Sequence, residues 1–176
     1  MSTRPNKKNT ILNAALKLFA TQGCEAVSTK KIALEAAVSE SLIFRHFSNK
    51  EALIKTLYER ECEALQTLCN RVDNLEHPKV LLSEILSLPF QIKEKHYQFY
   101  KWHLSMTGQR LGNENPLEPL LTPKLIHAFK GIDAKHVDTE VAAFWIVFNG
   151  LTQAIILAPK EHFISVYNCL KAKYQI

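Results

Sequence analysis

Between Gly23 and Lys50 the chain has room for two short helices and a tight turn, and nothing else in it restricts the fold so much. Ser28 or Thr29 caps the first helix, in which Ile32, Ala33 and Ala36 point inward. Ser39 caps the second after a break of one or two residues, and Ile43 and Phe47 share its buried side. Ahead of them, "ILNAALKLFATQG" repeats Ile11, Leu12, Ala15, Leu16 and Phe19 at helical spacing and ends at Gly23, a natural C-terminal cap. Behind them, Ser48 and Glu51 stand at capping-box spacing. A long helix follows, with Leu53, Ile54, Leu57, Ala64, Leu65, Leu68 and Val72 along one side. Three short helices and a long one, with a tight turn between the second and third, predict helix-turn-helix organisation. An ordinary helical bundle meets the same spacing.

Charge separates these alternatives only in part. The chain carries a net +5, and residues 1–50 hold eight Lys/Arg against three acids, so the first third carries the whole excess. A basic module on a neutral body suits a polyanion-binding head, while an uneven solvated surface is the plain alternative. The stretch "SLIFRHFSNKEAL" is more specific. On a helix, Ile43 and Phe47 face inward while Arg45, about 200° from Ile43, faces outward. Lys50 sits in the first turn of the next helix, where free backbone N–H groups attract anions. Apolar residues that anchor a helix beside cations that face out are what groove reading requires.

Together, residues 10–57 resemble the DNA-binding head of the TetR family of bacterial transcriptional regulators. The resemblance rests on Ala15-Leu16-Lys17-Leu18-Phe19, Gly23, Thr29 through Ile32-Ala33, Ala37-Val38-Ser39, Ile43-Phe44-Arg45-His46-Phe47 and Lys50-Glu51-Ala52-Leu53. It implies an all-α fold: an N-terminal three-helix helix-turn-helix DNA-binding head over 1–53, and a helical ligand-binding and dimerisation bundle over 54–176. It implies DNA contacts from Ser28, Thr29 and Lys30 at the second helix. It further implies contacts from Glu40, Ser41, Leu42, Phe44 and Arg45 on the third, with His46 and Lys50 on phosphates. The family's turn glycine is Ala37 here, so the turn must avoid positive φ or bear strain. The family's tyrosine is Phe44, which lacks a phosphate-binding hydroxyl. Glu40 suits a cytosine amino group and Arg45 a guanine, whereas Glu40 as a helix-capping acid and Lys31 as a solvated cation are the plain readings. The implied function is a ligand-responsive repressor that binds a palindromic operator on double-stranded DNA as a homodimer.

The body is read from pattern alone. Residues 80–106 look helical, with Pro89 a kink or boundary. Residues 107–124 concentrate proline and glycine and read as a loop, after which a helix runs to a stop at Gly131. "FQIKEKHYQFYKWHLSM" gathers Phe90, His96, Phe99, Tyr100, Trp102 and His103, which with Trp145 and Phe148 are candidates to line a pocket for a small hydrophobic ligand. Ordinary core packing is the alternative for each. Residues 139–158 are apolar nearly all round and must be buried all round. Ala143, Ile146, Val147, Gly150, Ala154 and Leu157, with Phe163, Tyr167 and Leu170 of the last helix, are the expected dimer interface. Asn149, Gly150, Thr152 and Gln153 interrupt this run, so no membrane span is expected.

The four cysteines show no CxxC pair and read as reduced thiols. No secretory pattern is visible, so a cytoplasmic location is expected. No catalytic motif, metal-ligand spacing or cofactor signature appears; His96 and His103 lack a third ligand at useful spacing. The rival from another class is a helical small-molecule or haem carrier with an incidental basic head.

Overall fold

The computed structural model describes residues 6–105 and 115–176. These form nine α-helices and two single 3-10 turns, with no strand among the described residues. The fold is all-α, with a helix-turn-helix at its N-terminal end and a helical C-terminal domain. It divides into two compact units: residues 6–61 with 95–105, and residues 62–94 with 115–176.

The first unit contains α1 (Lys7–Gln22), α2 (Thr29–Glu35), α3 (Glu40–His46) and the first three turns of α4 (Lys50–Cys69). Gly23 ends α1 at φ 76°, donating its N–H to the Phe19 carbonyl. Ser28 and Ser39 cap α2 and α3, accepting from the backbone N–H of Lys31 and Leu42. Asn49, not Ser48, takes this role for α4: its Oδ1 accepts from Ala52 N at 2.7 Å. The helix begins at Lys50, so Asn49 is the residue from which a side-chain oxygen reaches the free N–H groups.

A sixth helix, α6 (Tyr97–Ser105), packs on α1 within the same unit. Phe19 and Trp102 lie 5.5 Å apart, both wholly buried, and Tyr58 of α4 meets Phe99 at 5.5 Å. Trp102 Nε1 donates to Cys24 Sγ at 2.7 Å, so the buried indole N–H has its partner. Glu61, 6% exposed, lies against Arg60 and His96, and Arg60 reaches Asn13 of α1. The head was expected to end at residue 53. The first unit instead continues to Glu61 and takes in α6, because the apolar face of α1 is covered from a distant part of the sequence.

In the second unit, α5 (Pro78–Gln91) packs against α7 (Glu118–Gly131), α8 (Val137–Leu157) and α9 (Ile164–Tyr174). Pro89 lies inside α5, and the helix runs past it to Gln91. The loop expected over 107–124 is shorter at its end than proposed: residues 118–124 are helical, while 106–114 lie outside the described residues. Pro119 falls in the first turn of α7, where its missing N–H would have no partner anyway. Buried Asn115 donates to Asn149 and accepts from Leu117 N, tying the start of α7 to α8.

Helix α7 ends at Gly131, where the stop was expected, but without a left-handed glycine. The left-handed residue beyond it is Asp133, at φ 57°. A Cβ on Gly131 would lie 2.2 Å from Pro78 Cγ, so the close approach of α7 to the first turn of α5 requires glycine.

By length and composition α8 could cross a membrane. Its Val141, Phe144, Trp145, Phe148, Leu151 and Ile155 side is nevertheless buried against the other helices of the unit, as in a core helix. Its opposite side leaves Ile146 75% and Leu157 64% exposed.

Candidate nucleic-acid interface

The turn joining α2 to α3 brings the start of α2 beside the start of α3. Ala37 stands there at φ 51°, so this turn does bear the left-handed strain that the missing glycine would have removed. Val38 N donates to the Ala33 carbonyl and closes the turn. On α3, Ile43 is wholly buried and Phe47, just past the helix, is 3% exposed. These two residues anchor α3 to the head. Ser41, Phe44, Arg45 and His46 are exposed, with Leu42 half-buried between them. Phe44, 48% exposed, offers an apolar face at the same surface, of the kind that contacts thymine methyl groups.

At the start of α2, Ser28 is exposed and spends its oxygen on the cap, while Lys30 is exposed. Thr29 is half-buried, and its hydroxyl donates to Glu40 Oε1 at 2.6 Å. Lys31, read from sequence as merely solvated, bonds Gln22 Oε1 at 2.8 Å and holds the end of α1. Lys50 is also engaged: its Nζ donates to the Cys24 carbonyl at 2.6 Å. Burial pushes the Cys24 thiol up, against the opposing pull of the Trp102 hydrogen bond and the Lys50 ammonium. Neither the Thr29–Glu40 pair nor the Lys50–Cys24 tie was legible in the sequence, since each joins residues from different helices or turns.

The residues expected to line a hydrophobic pocket are distributed over both units. Phe99, Tyr100, Trp102 and His103 are buried among one another and Tyr58 in the first unit, with His96 beside Glu61. In the second, Phe90 packs on Tyr167, and Trp145 meets Phe148 at 5.2 Å while donating to Thr122 Oγ1. A cleft of about 710 Å³ in the second unit involves none of them; His77, Lys79, Phe129, Glu140, Lys173 and Tyr174 are among its lining residues. Tyr174 donates to Glu140 Oε2 at 3.3 Å, and burial raises its phenol above the usual range.

Of the expected interface residues, Ile146, Gly150 and Leu157 are exposed. Ala143, Val147, Ala154, Phe163, Tyr167 and Leu170 are half-buried. Ile164 and Val166 add exposed apolar surface on α9.

Comparison with known proteins bears on the head most directly. Residues 11–57 match the family described as bacterial regulatory proteins, tetR family. The nucleoid occlusion factor SlmA of Vibrio campbellii is 35% identical over 92 residues, which are 49% of this chain and 47% of SlmA. The chain thus spans about half the length of the SlmA relatives it matches. Among solved structures, the ketosteroid transcriptional regulator KstR2 of Mycobacterium tuberculosis superposes with a TM-score of 0.72 at 16% identity, over 94% of each chain. The transcriptional regulator FadR of Bacillus subtilis, in complex with stearoyl-CoA, gives 0.69 at 17% identity, over 94% of this chain and 96% of its own. At such identities the likeness is one of fold. Residues 11–57, on the helices that carry the exposed α3 surface, are thus similar to bacterial regulatory proteins of the tetR family, and beyond them the likeness to solved regulators is one of fold.

Proposed function

We propose that the chain represses transcription by binding a palindromic operator as a homodimer. The observation that carries this reading is the exposed row Ser41, Phe44, Arg45 and His46 on a helix anchored through buried Ile43 and Phe47. Arg45 reads a base edge, His46 and Lys50 hold phosphates, and Ser28 and Lys30 contact the flanking backbone. The two copies meet through α8 and α9, whose outward apolar residues the protomer leaves exposed or half-buried. A small ligand held in the body shifts the dimer between DNA-binding and released states. The cleft beside Phe129 and Tyr174 supports a ligand site more directly than the packed aromatic residues around Trp102 do.

Selection of bound oligonucleotides from a random duplex pool tests the reading. A regulator of this kind enriches one palindrome with half-sites about 34–36 Å apart, or a multiple, and loses affinity steeply with salt. Salt-insensitive binding without an enriched sequence would favour a carrier with an incidental basic head.

The match to SlmA favours a second reading, because its 92 residues reach well beyond the 47-residue head segment 11–57. On that reading the DNA-bound chain acts in nucleoid occlusion instead of at promoters. Mapping of bound chromosomal sites separates the two. Repression predicts sites at promoters whose transcripts rise on deletion; occlusion predicts scattered sites and unchanged transcripts.

A further inference from the structure

The Thr29 hydroxyl donates to Glu40 Oε1 at 2.6 Å, across the turn that joins α2 to α3. Both side chains are half-buried, and Glu40 is the first residue of α3. We propose that Thr29 is a positioning residue: it holds the Glu40 carboxylate at a fixed orientation toward the groove, and this pair selects a base that presents an amino group.

The proposal rests on the DNA-binding reading above and deepens it. A hydroxyl has one proton to donate, and here it goes to Glu40 and not to a phosphate. An ionised carboxylate accepts at both oxygens, so the bond to Oε1 leaves Oε2 with acceptor capacity of its own. In the major groove the amino groups of cytosine and adenine donate, whereas guanine O6 and N7 and thymine O4 only accept. A carboxylate held in place is therefore attracted to the first pair and repelled by the second. Without Thr29 the carboxylate can rotate into solvent, which removes the repulsion from wrong bases as well as the attraction to the right one. Discrimination, more than affinity, is then what Thr29 supplies.

The test is a double-mutant cycle in the full chain, read on operator duplexes with each of the four base pairs placed in turn at every half-site position. Thr29→Val removes the hydroxyl at constant shape, Thr29→Ser keeps it, and Glu40→Ala removes the carboxylate. The expected result is that Thr29→Val lowers discrimination at one base pair, roughly ten-fold or less, in the same direction as Glu40→Ala. Thr29→Ser retains discrimination. In the Glu40→Ala background Thr29→Val has no further effect, because its only route to DNA is gone. Circular dichroism confirms that each variant is folded. Equal weakening on all sequences that adds to the effect of Glu40→Ala would overturn the proposal and make Thr29 a direct phosphate contact. Unaltered discrimination in Glu40→Ala would overturn it too. A wild-type chain that binds no duplex specifically would instead remove the underlying DNA-binding reading.

Discussion

Lys50 Nζ lies 2.6 Å from the Cys24 carbonyl oxygen, so the lysine expected on a phosphate also pins the turn that follows α1. An ammonium has three protons to donate, and this bond uses one. Lys50→Ala therefore has two effects. Binding to all duplexes weakens about equally and the salt slope falls by about one unit. Stability of the chain falls by about 1 kcal/mol as well, from loss of a charge-assisted hydrogen bond at a half-exposed site. Titrations at several salt concentrations, with urea melts of the same samples, read both. A change in base preference at unchanged salt slope would show that Lys50 reads sequence.

Arg45 is exposed on α3, so it is free to reach a base edge. Arg45→Ala should relax preference at one position of each half-site, by roughly 1–3 kcal/mol if the contact is bidentate. Stability should stay within about 0.5 kcal/mol, as for surface substitutions without partners. Binding measured on the panel of operator variants distinguishes this from a uniform loss, which would make Arg45 a phosphate contact.

Ala37 holds φ 51°, a conformation that disfavours an L side chain by about 1–2 kcal/mol. Ala37→Gly removes that strain but gives the unfolded chain more freedom. The net expectation is a gain of roughly 0.5–1 kcal/mol, or a few degrees in Tm. DNA affinity should hold, since the turn keeps its path. A lower Tm would mean that the Ala37 methyl packs favourably enough to outweigh its backbone strain.

The head was legible because its signals are local. Gly23, Ser28, Ser39, Ile43 and Phe47 do what their spacing predicts, each within one helix or turn. What was missed depends on residues far apart in sequence. Trp102 meets Phe19 and Cys24, so the aromatic stretch that suggested a pocket packs on α1. Gly131 is needed because Pro78 lies against it, a reason that no local reading of a glycine supplies. Thr29 and Glu40 were each assigned to DNA separately, and only the fold shows that they bond one another. The exception is Asn49, a local cap overlooked in favour of Ser48 because the start of α4 was set one residue early.

Cys69, 5% exposed, has its thiol pushed up to about 11, chiefly by burial, then by Asp73, with Lys124 opposing. In the unfolded chain the same thiol ionises near 9.0. Between these values the unfolded state releases a proton that the folded state keeps, so stability falls as pH rises through this window. The loss is at most roughly 2–3 kcal/mol and absent below it. Urea midpoints from pH 8 to 10.5 should fall more steeply for the wild type than for Cys69→Ala. That comparison cancels the contribution of the ionisable groups that the two proteins share. Parallel slopes would mean that the Cys69 thiol ionises as easily folded as unfolded.

Gly150 is exposed on α8, and a Cβ placed there would meet nothing within 4 Å. The protomer therefore accepts a side chain at this position, and a substitution reports on whatever else covers the helix. Ile146, 75% exposed, lies one turn before Gly150, and half-buried Ala154 one turn after it. Small residues four apart let a second helix come close, and a charge placed in such a contact is desolvated without a partner. Gly150→Glu should give a protein of unchanged helix content that sediments as a monomer. Its head should still bind DNA, but weakly and without preference for a palindrome, because two recognition helices are no longer held at a fixed separation. Substituting glycine in a helix by a better helix former should, by itself, raise protomer stability by up to about 1 kcal/mol, so unfolding is not the expected route to monomers. A Gly150→Ala control keeps the contact small and should remain dimeric. If Gly150→Glu sediments as a dimer with normal operator affinity, this face of α8 is not where the two copies meet.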